Sequence, residues 1–212
     1  MKRVVCLGGG PAGLYAAILL KKSLPLARVE IYERNRPDDT FGWGVVFSDK
    51  TMAGFAGADP ESHAAIVASF YHWDDIDVHF RGETIRSGGH GFCGIGRRRL
   101  LNVFQERAHA LGVVQHFQAE VEDLEPFRDA ALVIAADGVN SKVRTRFASA
   151  FEPDIDVRKC RFIWLGTRQK FAAFTFAFDR VRPNPVAGTA RFAWSLPRAE
   201  NATLEILDPS GR

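Results

Sequence analysis

The chain has 212 residues, 46% hydrophobic and 25% charged, with a formal net charge of +3; this excludes a disordered or fibrous chain and leaves ample length for a buried core. The basic excess gathers at Arg97, Arg98 and Arg99 and at Arg158, Lys159 and Arg161, and is too mild to predict a nucleic-acid partner. Three widely spaced cysteines, Cys6, Cys93 and Cys160, form no CxxC pair, which argues against a disulfide framework or a zinc knuckle and fits a cytoplasmic location.

The chain opens with Met1-Lys2-Arg3 and an apolar run, but Gly8-Gly9-Gly10-Pro11 interrupts that run after four residues, so no export signal is expected. Leu14 to Leu20 falls short of the roughly 20 apolar residues of a membrane span, so no membrane partner is expected. Val4 to Leu7, closed by glycines, has the pattern of a strand buried on both faces. Ala12 to Lys22, rich in Ala and Leu, predicts a helix ending near Ser23 and Pro25. Arg28 to Glu33 predicts a second strand, parallel to the first. Asn35 to Ser48 is rich in Pro, Gly and aromatics, so the chain is expected to leave the sheet there.

Asp59-Pro60-Glu61 reads as the N-cap and first turn of a helix to about Phe70. Ile76, Val78 and Phe80 alternate with polar residues, and Gly82-Glu83 turns the chain toward Thr84 to Ser87, which predicts a hairpin. Gly88 to Gly96 reads as a glycine-rich loop. It enters a helix whose Leu100, Phe104, Ala108 and Leu111 recur at three- and four-residue steps until Gly112. Val113 to Phe117 and Ala131 to Ala136 are further buried strands, and Arg161 to Thr167 and Phe171 to Phe178 read as two aromatic strands of a separate sheet. From 179 onward Pro183, Pro185, Pro197 and Pro209 break any sustained period.

Gly8-Gly9-Gly10-Pro11-Ala12-Gly13 satisfies GxGxxG between a strand and a helix. Gly8 permits the tight turn, Gly10 lets a pyrophosphate approach the backbone, and Gly13 brings the helix against the strand. Free N–H groups at the helix start point at the anion. Glu33 closes the second strand about 20 residues later, where its carboxylate can accept hydrogen bonds from both ribose hydroxyls and disfavours a 2′-phosphate. Asp137-Gly138 follows a strand, where ligands bind in open α/β sheets, with a structural turn as the alternative.

Arg97 begins a helix and opposes its dipole unless an anion such as a cofactor phosphate relieves it; Arg98 and Arg99 read as solvated charge. His72 and His79 fall on opposite faces of an extended segment, so no metal site is expected. Phe162, Trp164, Phe174, Phe176 and Phe178 read mainly as core, with some forming the floor of an apolar ring pocket. Arg158, Lys159 and Arg161 read as solvated charge or as partners for an acidic substrate.

The order of these motifs, Gly8 to Gly13, Glu33-Arg34, Arg97 and Asp137-Gly138, resembles that of the class A flavoprotein monooxygenases, aromatic hydroxylases with one FAD-binding domain. Tyr32 to Asp39, Phe41 to Phe47 and Gly89 to Arg97 look like the flavin part of the CoA-thioester hydroxylases of the salicylyl-CoA and 2-aminobenzoyl-CoA type. The resemblance covers residues 1–178. It implies an α/β fold: a Rossmann-like FAD-binding domain at 1–157 with an irregular and hairpin insertion at about 38–96. The start of a mostly β substrate domain follows at 158–178, then a divergent tail at 179–212.

It also implies FAD as cofactor, NADH or NADPH as transient reductant, and O2 and a small aromatic molecule, as a CoA thioester, as substrates. Its motifs assign cofactor contacts to Gly8, Gly10, Ala12, Gly13, Glu33, Arg34 and Arg97, with Gly44 and Val45 beside the flavin ring and Asp137 and Gly138 supporting the phosphates. His90, in the loop leading to Arg97, is placed facing substrate or flavin or else hydrogen-bonded locally. No acid/base pair is required, so no catalytic residue is assigned.

The family's downstream GD motif has no counterpart here, so the chain is expected to be truncated or frame-shifted. The alternative to a monooxygenase is then a catalytically incompetent FAD-binding fragment. An exposed sheet edge favours a homo-oligomer. An NAD-linked dehydrogenase fits the first motif but not the stretch from Asn35 to Ser48 or the late Asp-Gly turn.

Overall fold

The computed structural model describes residues 2–80, 82–157, 164–167, 170–178, 181–182, 191–192 and 202–205. Arg3–Leu7 forms strand β1, Pro11–Ser23 helix α1 and Arg28–Glu33 strand β2. Proline in the first turn starts α1, with Gly10 as an extended N-cap, because the missing proline N–H is one the helix would leave unbonded anyway. β1 and β2 are parallel, in register from Arg3 opposite Arg28 to Leu7 opposite Tyr32.

The chain then leaves this sheet, as expected, but a strand and a helix form where no regular element was expected. Gly44–Ser48 forms β3, Asp49–Ala58 helix α2, Pro60–Val67 helix α3 and Tyr71–Trp73 β4; Ile76–Phe80 forms β5, Glu83–Ser87 β6 and Phe92–Gly96 β7. β7 lies between β3 and β4 in an antiparallel sheet. Its glycines mimic a loop in the sequence, yet a Cβ at Gly94 would lie 3.0 Å from the Trp73 ring, so the missing side chain admits a close neighbour inside a strand. α2 escaped the sequence reading because Gly54 and Gly57 each cost a helix about 1 kcal/mol relative to alanine. Its start is fixed locally by the Ser48 side chain, which accepts from the Thr51 N–H at 3.4 Å.

Arg97–Ala110 forms α4, Val114–Phe117 β8, Leu132–Ala135 β9, Lys142–Arg146 α5 and Ala148–Phe151 α6. The central sheet is wholly parallel in the order β8-β2-β1-β9. Alternation along β1 and β2 splits the core in two. Val4, Cys6, Val29 and Ile31 pack with Leu14 and Ile18 of α1 and Leu100 and Phe104 of α4. Val5 and Leu7 pack with Phe127, Tyr32 and Val133 on the other side.

Trp164–Thr167 (β10), Phe174–Phe178 (β11), Val181–Arg182 (β12), Arg191–Phe192 (β13) and Ala202–Glu205 (β14) follow. The expectation that the first two share a separate sheet is corrected. β10 pairs antiparallel with β14, and β12 with β13, whereas β11 joins β5 and β6 by a parallel pairing with β5. In that register Phe174 lies opposite Ile76 and Phe176 opposite Val78, so the aromatic residues extend a face made by residues about 100 positions earlier.

Two carboxylates are fully buried in this frame. Glu30, 0% exposed, receives Arg3 Nε at 2.6 Å and Arg28 Nη2 at 2.8 Å. Asp59, also 0% exposed, caps α3 through the Ser62 N–H at 3.2 Å and receives Lys22 Nζ at 2.7 Å and Arg107 Nη2 at 2.8 Å. It thereby ties α1, α3 and α4 together. Burial by itself pushes the Asp59 carboxyl up, but hydrogen bonds from Arg107, Lys22 and Ser62 outweigh it and hold the group well below its ordinary value of 3.8.

A carboxyl depressed in the fold stabilises the protein above its ordinary pKa, and that contribution is lost as the pH falls below it toward the folded value. Asp59→Asn, which leaves two cations without their shared anion, is expected to lower stability at pH 7 by about 3 kcal/mol. The gap between the wild-type protein and this variant should narrow as the pH drops below about 4. Denaturant unfolding at both pH values checks this, and a gap that is constant with pH would contradict it.

Candidate functional site

The chain leaves β1 through Gly8, whose φ of +104° is a conformation open to glycine at little steric cost. A Cβ at Gly8 would overlap the carbonyl of Ala136, and one at Gly13 would overlap the carbonyl of Gly8. These two glycines are therefore required by the packing of turn, helix α1 and the end of β9. Gly10 differs: a Cβ there meets nothing within 4 Å. Its open side faces a cleft. The first-turn N–H groups of Ala12 and Gly13 have no acceptor within the helix, and the N-cap supplies no side-chain hydrogen bond.

At the end of β2 the Glu33 carboxylate closes on this loop. Its Oε2 accepts from the Gly9 N–H at 2.7 Å, and its Oε1 accepts from both the backbone N–H and the side-chain Nδ2 of Asn35, each at 2.8 Å. Gly9 is tight against it, since a Cβ would lie 2.8 Å from Glu33 Cβ. Sequence reasoning passed over Asn35. The available signal was an amide side chain two residues after a carboxylate, a spacing at which local side-chain bonding recurs.

A cleft of about 380 Å³ runs along the ends of the parallel strands and is lined by Gly8, Gly10, Glu33, Arg34, Arg97, Asp137 and Gly138. A smaller space of about 80 Å³, also bounded by Gly10, Glu33 and Arg97, reaches Arg36, Thr40 and Gln105. Ala119 donates its N–H to the Glu33 carbonyl at 2.9 Å, and Gln118 donates to the Asn35 carbonyl at 3.0 Å. With Gln118 at φ +53°, the segment after β8 turns back to form the far wall. Its signal in the sequence was faint, because a left-handed glutamine is uncommon.

The charges in the cleft are unevenly committed. Lys142 is held by Glu120 at 2.7 Å and Glu122 at 2.9 Å. Asp137 accepts from the Val143 N–H at 3.3 Å at the start of α5. Arg34 and Arg97 have no ion-pair partner among the described residues. The backbone N–H of Arg97 donates to the Trp43 carbonyl at 3.1 Å, which fixes the start of α4 while its half-buried side chain lines the cleft.

Other candidates lie elsewhere. Gly44 and Val45 pair with Gly96 and Ile95 in the antiparallel sheet and do not line this cleft. Ala12 is exposed in the first turn of α1, where its backbone N–H and not its side chain is the group available to the cleft. His90 is engaged locally, its Nε2 2.7 Å from Ser87 Oγ and its N–H donating to the Asp74 carbonyl at 2.8 Å. Arg98 lies 3.4 Å from Asp38, and Arg99 Nε donates to Ser69 at 3.0 Å.

His72 faces Asp49 at 3.4 Å, whereas His79 lies 2.7 Å from Thr84. Among the described residues no group of three or more His, Cys, Asp or Glu side chains can hold a metal. Burial pushes the Cys6 thiol up to about 11 and raises that of Cys93, so neither offers a thiolate near neutral pH. Arg158, Lys159, Cys160, Arg161 and Phe162 lie outside the described residues. No helix among the described residues is long and apolar enough to cross a membrane.

No family model matches the chain. Its fold is similar to that of a variant of 2-methyl-3-hydroxypyridine-5-carboxylic acid oxygenase, with a TM-score of 0.61 and 25% identity over 68% of this chain and 42% of that one. It also resembles CtdE, whose solved structure is a complex with FAD and a substrate, with a TM-score of 0.61 and 21% identity over 79% of this chain and 42% of that one. In sequence it is 49% identical over 174 residues to the salicyloyl-CoA 5-hydroxylase of a Streptomyces species, a match covering 82% of this chain and 34% of that protein.

The chain is homologous to the flavin monooxygenases. The chain is also 32% identical to the protodeoxyviolaceinate monooxygenase of Chromobacterium violaceum, over 83% of this chain and 48% of that protein. It thus spans between a third and a half of the length of these curated relatives.

The two kinds of glycine in the loop give a direct test. Gly13→Ala is expected to lower stability by about 3 kcal/mol, because backbone must move to admit the methyl group. Gly10→Ala is expected to leave the melting temperature within about 2 °C, since a surface change away from packing rarely exceeds about 0.5 kcal/mol. Equal losses in thermal unfolding would show that Gly10 is also packed.

Proposed function

We propose that this chain forms the FAD-binding part of a monooxygenase that uses NADH or NADPH and O2 to hydroxylate an aromatic ring, with an aromatic acyl-CoA as the substrate class. The observation that carries this reading is the convergence on one cleft of an open Gly10, a Glu33 carboxylate fixed beside it, and an Arg97 side chain without a described ion-pair partner. The 49% identity to salicyloyl-CoA 5-hydroxylase supports the choice of chemistry and of thioester.

The residues present suit a dinucleotide. Gly10 lets a diphosphate reach the backbone, and the N–H groups of Ala12 and Gly13 at the start of α1 provide donors and the positive end of the helix dipole. Arg97 adds a full positive charge in the same cleft, and Glu33 receives the ribose. In this reading Gly8 and Gly13 hold the turn, Arg34 bounds the cleft beside the sugar, and Asp137 with Gly138 shapes the wall under the phosphates while bracing α5. Gly44 and Val45, on β3, lie outside the diphosphate cleft and would be the residues beside the flavin ring. FAD, when bound, supplies the electron transfer and oxygen chemistry; the protein's part is to bind it, orient the ring and exclude water. The binding unit is assigned to residues 1–157, with the following strands beginning a substrate-facing layer.

Titration of the purified protein with FAD, followed by flavin fluorescence, is expected to show saturable binding. Gly10→Ala, while still folded, should weaken it by about tenfold or more, because the methyl group holds the diphosphate off the loop. The FAD-loaded protein is expected to consume NADH or NADPH faster when an aromatic acyl-CoA is added. Saturable binding of NADH with none of FAD would instead point to an NAD-linked dehydrogenase.

A further inference from the structure

The far wall of the 380 Å³ cleft is built from two segments distant in the chain. Ala119, Glu120 and Val121 belong to the stretch that leaves β8, and Asn140, Lys142 and Val143 to the stretch that leaves β9. β8 and β9 are the outermost strands of the parallel sheet, so contact between these segments bridges the ends of β2 and β1 that lie between them. A row of ion pairs makes that contact: Lys142 with Glu120 at 2.7 Å and Glu122 at 2.9 Å, and Arg146 with Asp123 at 2.6 Å. The five side chains are 48% to 72% exposed, so water screens every pair in the row.

We infer that this row is a latch, and that the cofactor enters and leaves the cleft by separation of the two wall segments. The inference rests on the FAD-binding reading of the cleft. A wall closed by exposed ion pairs opens at modest cost, unlike the opposite side, where Gly8 and Gly13 are tightly packed and β2 is paired along both edges. Each segment also has a turn at its base: Gln118 at φ +53° precedes the first and Gly138 at φ +90° the second. A few such positions at the ends of regular elements are enough to absorb a hinge motion. Behind the ion pairs Val121 and Val143, one from each segment, pack against the layer of Val5 and Leu7, which favours reclosure of the wall.

The double variant Glu122→Gln with Arg146→Gln tests this, because neither residue lines the cleft and an effect on the ligand must pass through the wall. FAD association and dissociation are followed in the full chain by stopped-flow flavin fluorescence. Opening precedes both entry and exit, so the variant is expected to raise both rate constants by about three- to tenfold with Kd within about twofold. Raising NaCl from about 0.05 to about 0.5 M, which shortens the screening length, should speed dissociation from the unmodified protein by a similar factor and act less on the variant. Hydrogen exchange of the cofactor-free protein is a second readout: amides of 119–123 and 142–146 should exchange faster in the variant, and those of Val4 to Leu7 at an unchanged rate.

Faster dissociation with unchanged association, and hence a weaker Kd, would make these pairs ordinary supports of the bound state and overturn the latch while leaving FAD binding intact. Unchanged hydrogen exchange at the two segments would overturn it as well, whatever the flavin rates. No measurable binding of FAD to the unmodified protein would overturn the reading of the cleft, and the entry route with it.

Discussion

The hydrogen bond between the Gly9 N–H and Glu33 Oε2, 2.7 Å long, joins the turn after β1 to the end of β2. Everything in the cleft takes its position from that closure. The turn itself is rigid because Gly8 and Gly13 let backbone carbonyls come within a methyl group's distance. The end of β2 is rigid because its strand is paired on both sides within the parallel sheet. A carboxylate held between two such elements is a fixed charge rather than a mobile one, and fixed donors and acceptors recognise a ligand without further ordering cost.

The surrounding frame spends its own charges internally. Asp59 binds Lys22 and Arg107, and Glu30 binds Arg3 and Arg28. Lys142 and Arg146 draw α5 toward the 120–123 segment through Glu120, Glu122 and Asp123. These pairings matter to the site by subtraction. They neutralise cations near the core and the far wall, leaving Arg34 and Arg97 as the basic side chains of the cleft without a described ion-pair partner. For an anionic ligand that contrast sets direction: the positive potential lies beside the helix N-termini and not along the opposite wall.

Much of this was legible from local pattern. The run Val4 to Leu7, the glycine signature and the alternation into Glu33 specify a strand, turn, helix and strand through short-range rules, and α1 and β2 lie where those rules put them. The antiparallel sheet was not legible. β7 reads as a loop because Gly94 and Gly96 lower strand propensity, and only the Trp73 ring lying over Gly94 explains the gap. β11 reads as part of a separate sheet because nothing local announces a parallel partner about 100 residues earlier.

The sequence by itself determined which residue types were available to hold a dinucleotide, since the tight turn, the helix start and the acidic strand end each follow from neighbours a few positions apart. Tertiary structure decided how they are used. It brought Arg97 and Asp137 to the cleft of Gly10, with Gly44, Val45 and His90 outside its lining, and occupied three positions of the Glu33 carboxylate. Spacing along a chain fixes which backbone groups are near one another. How many hydrogen bonds an oxygen has left depends on what the fold packs around it.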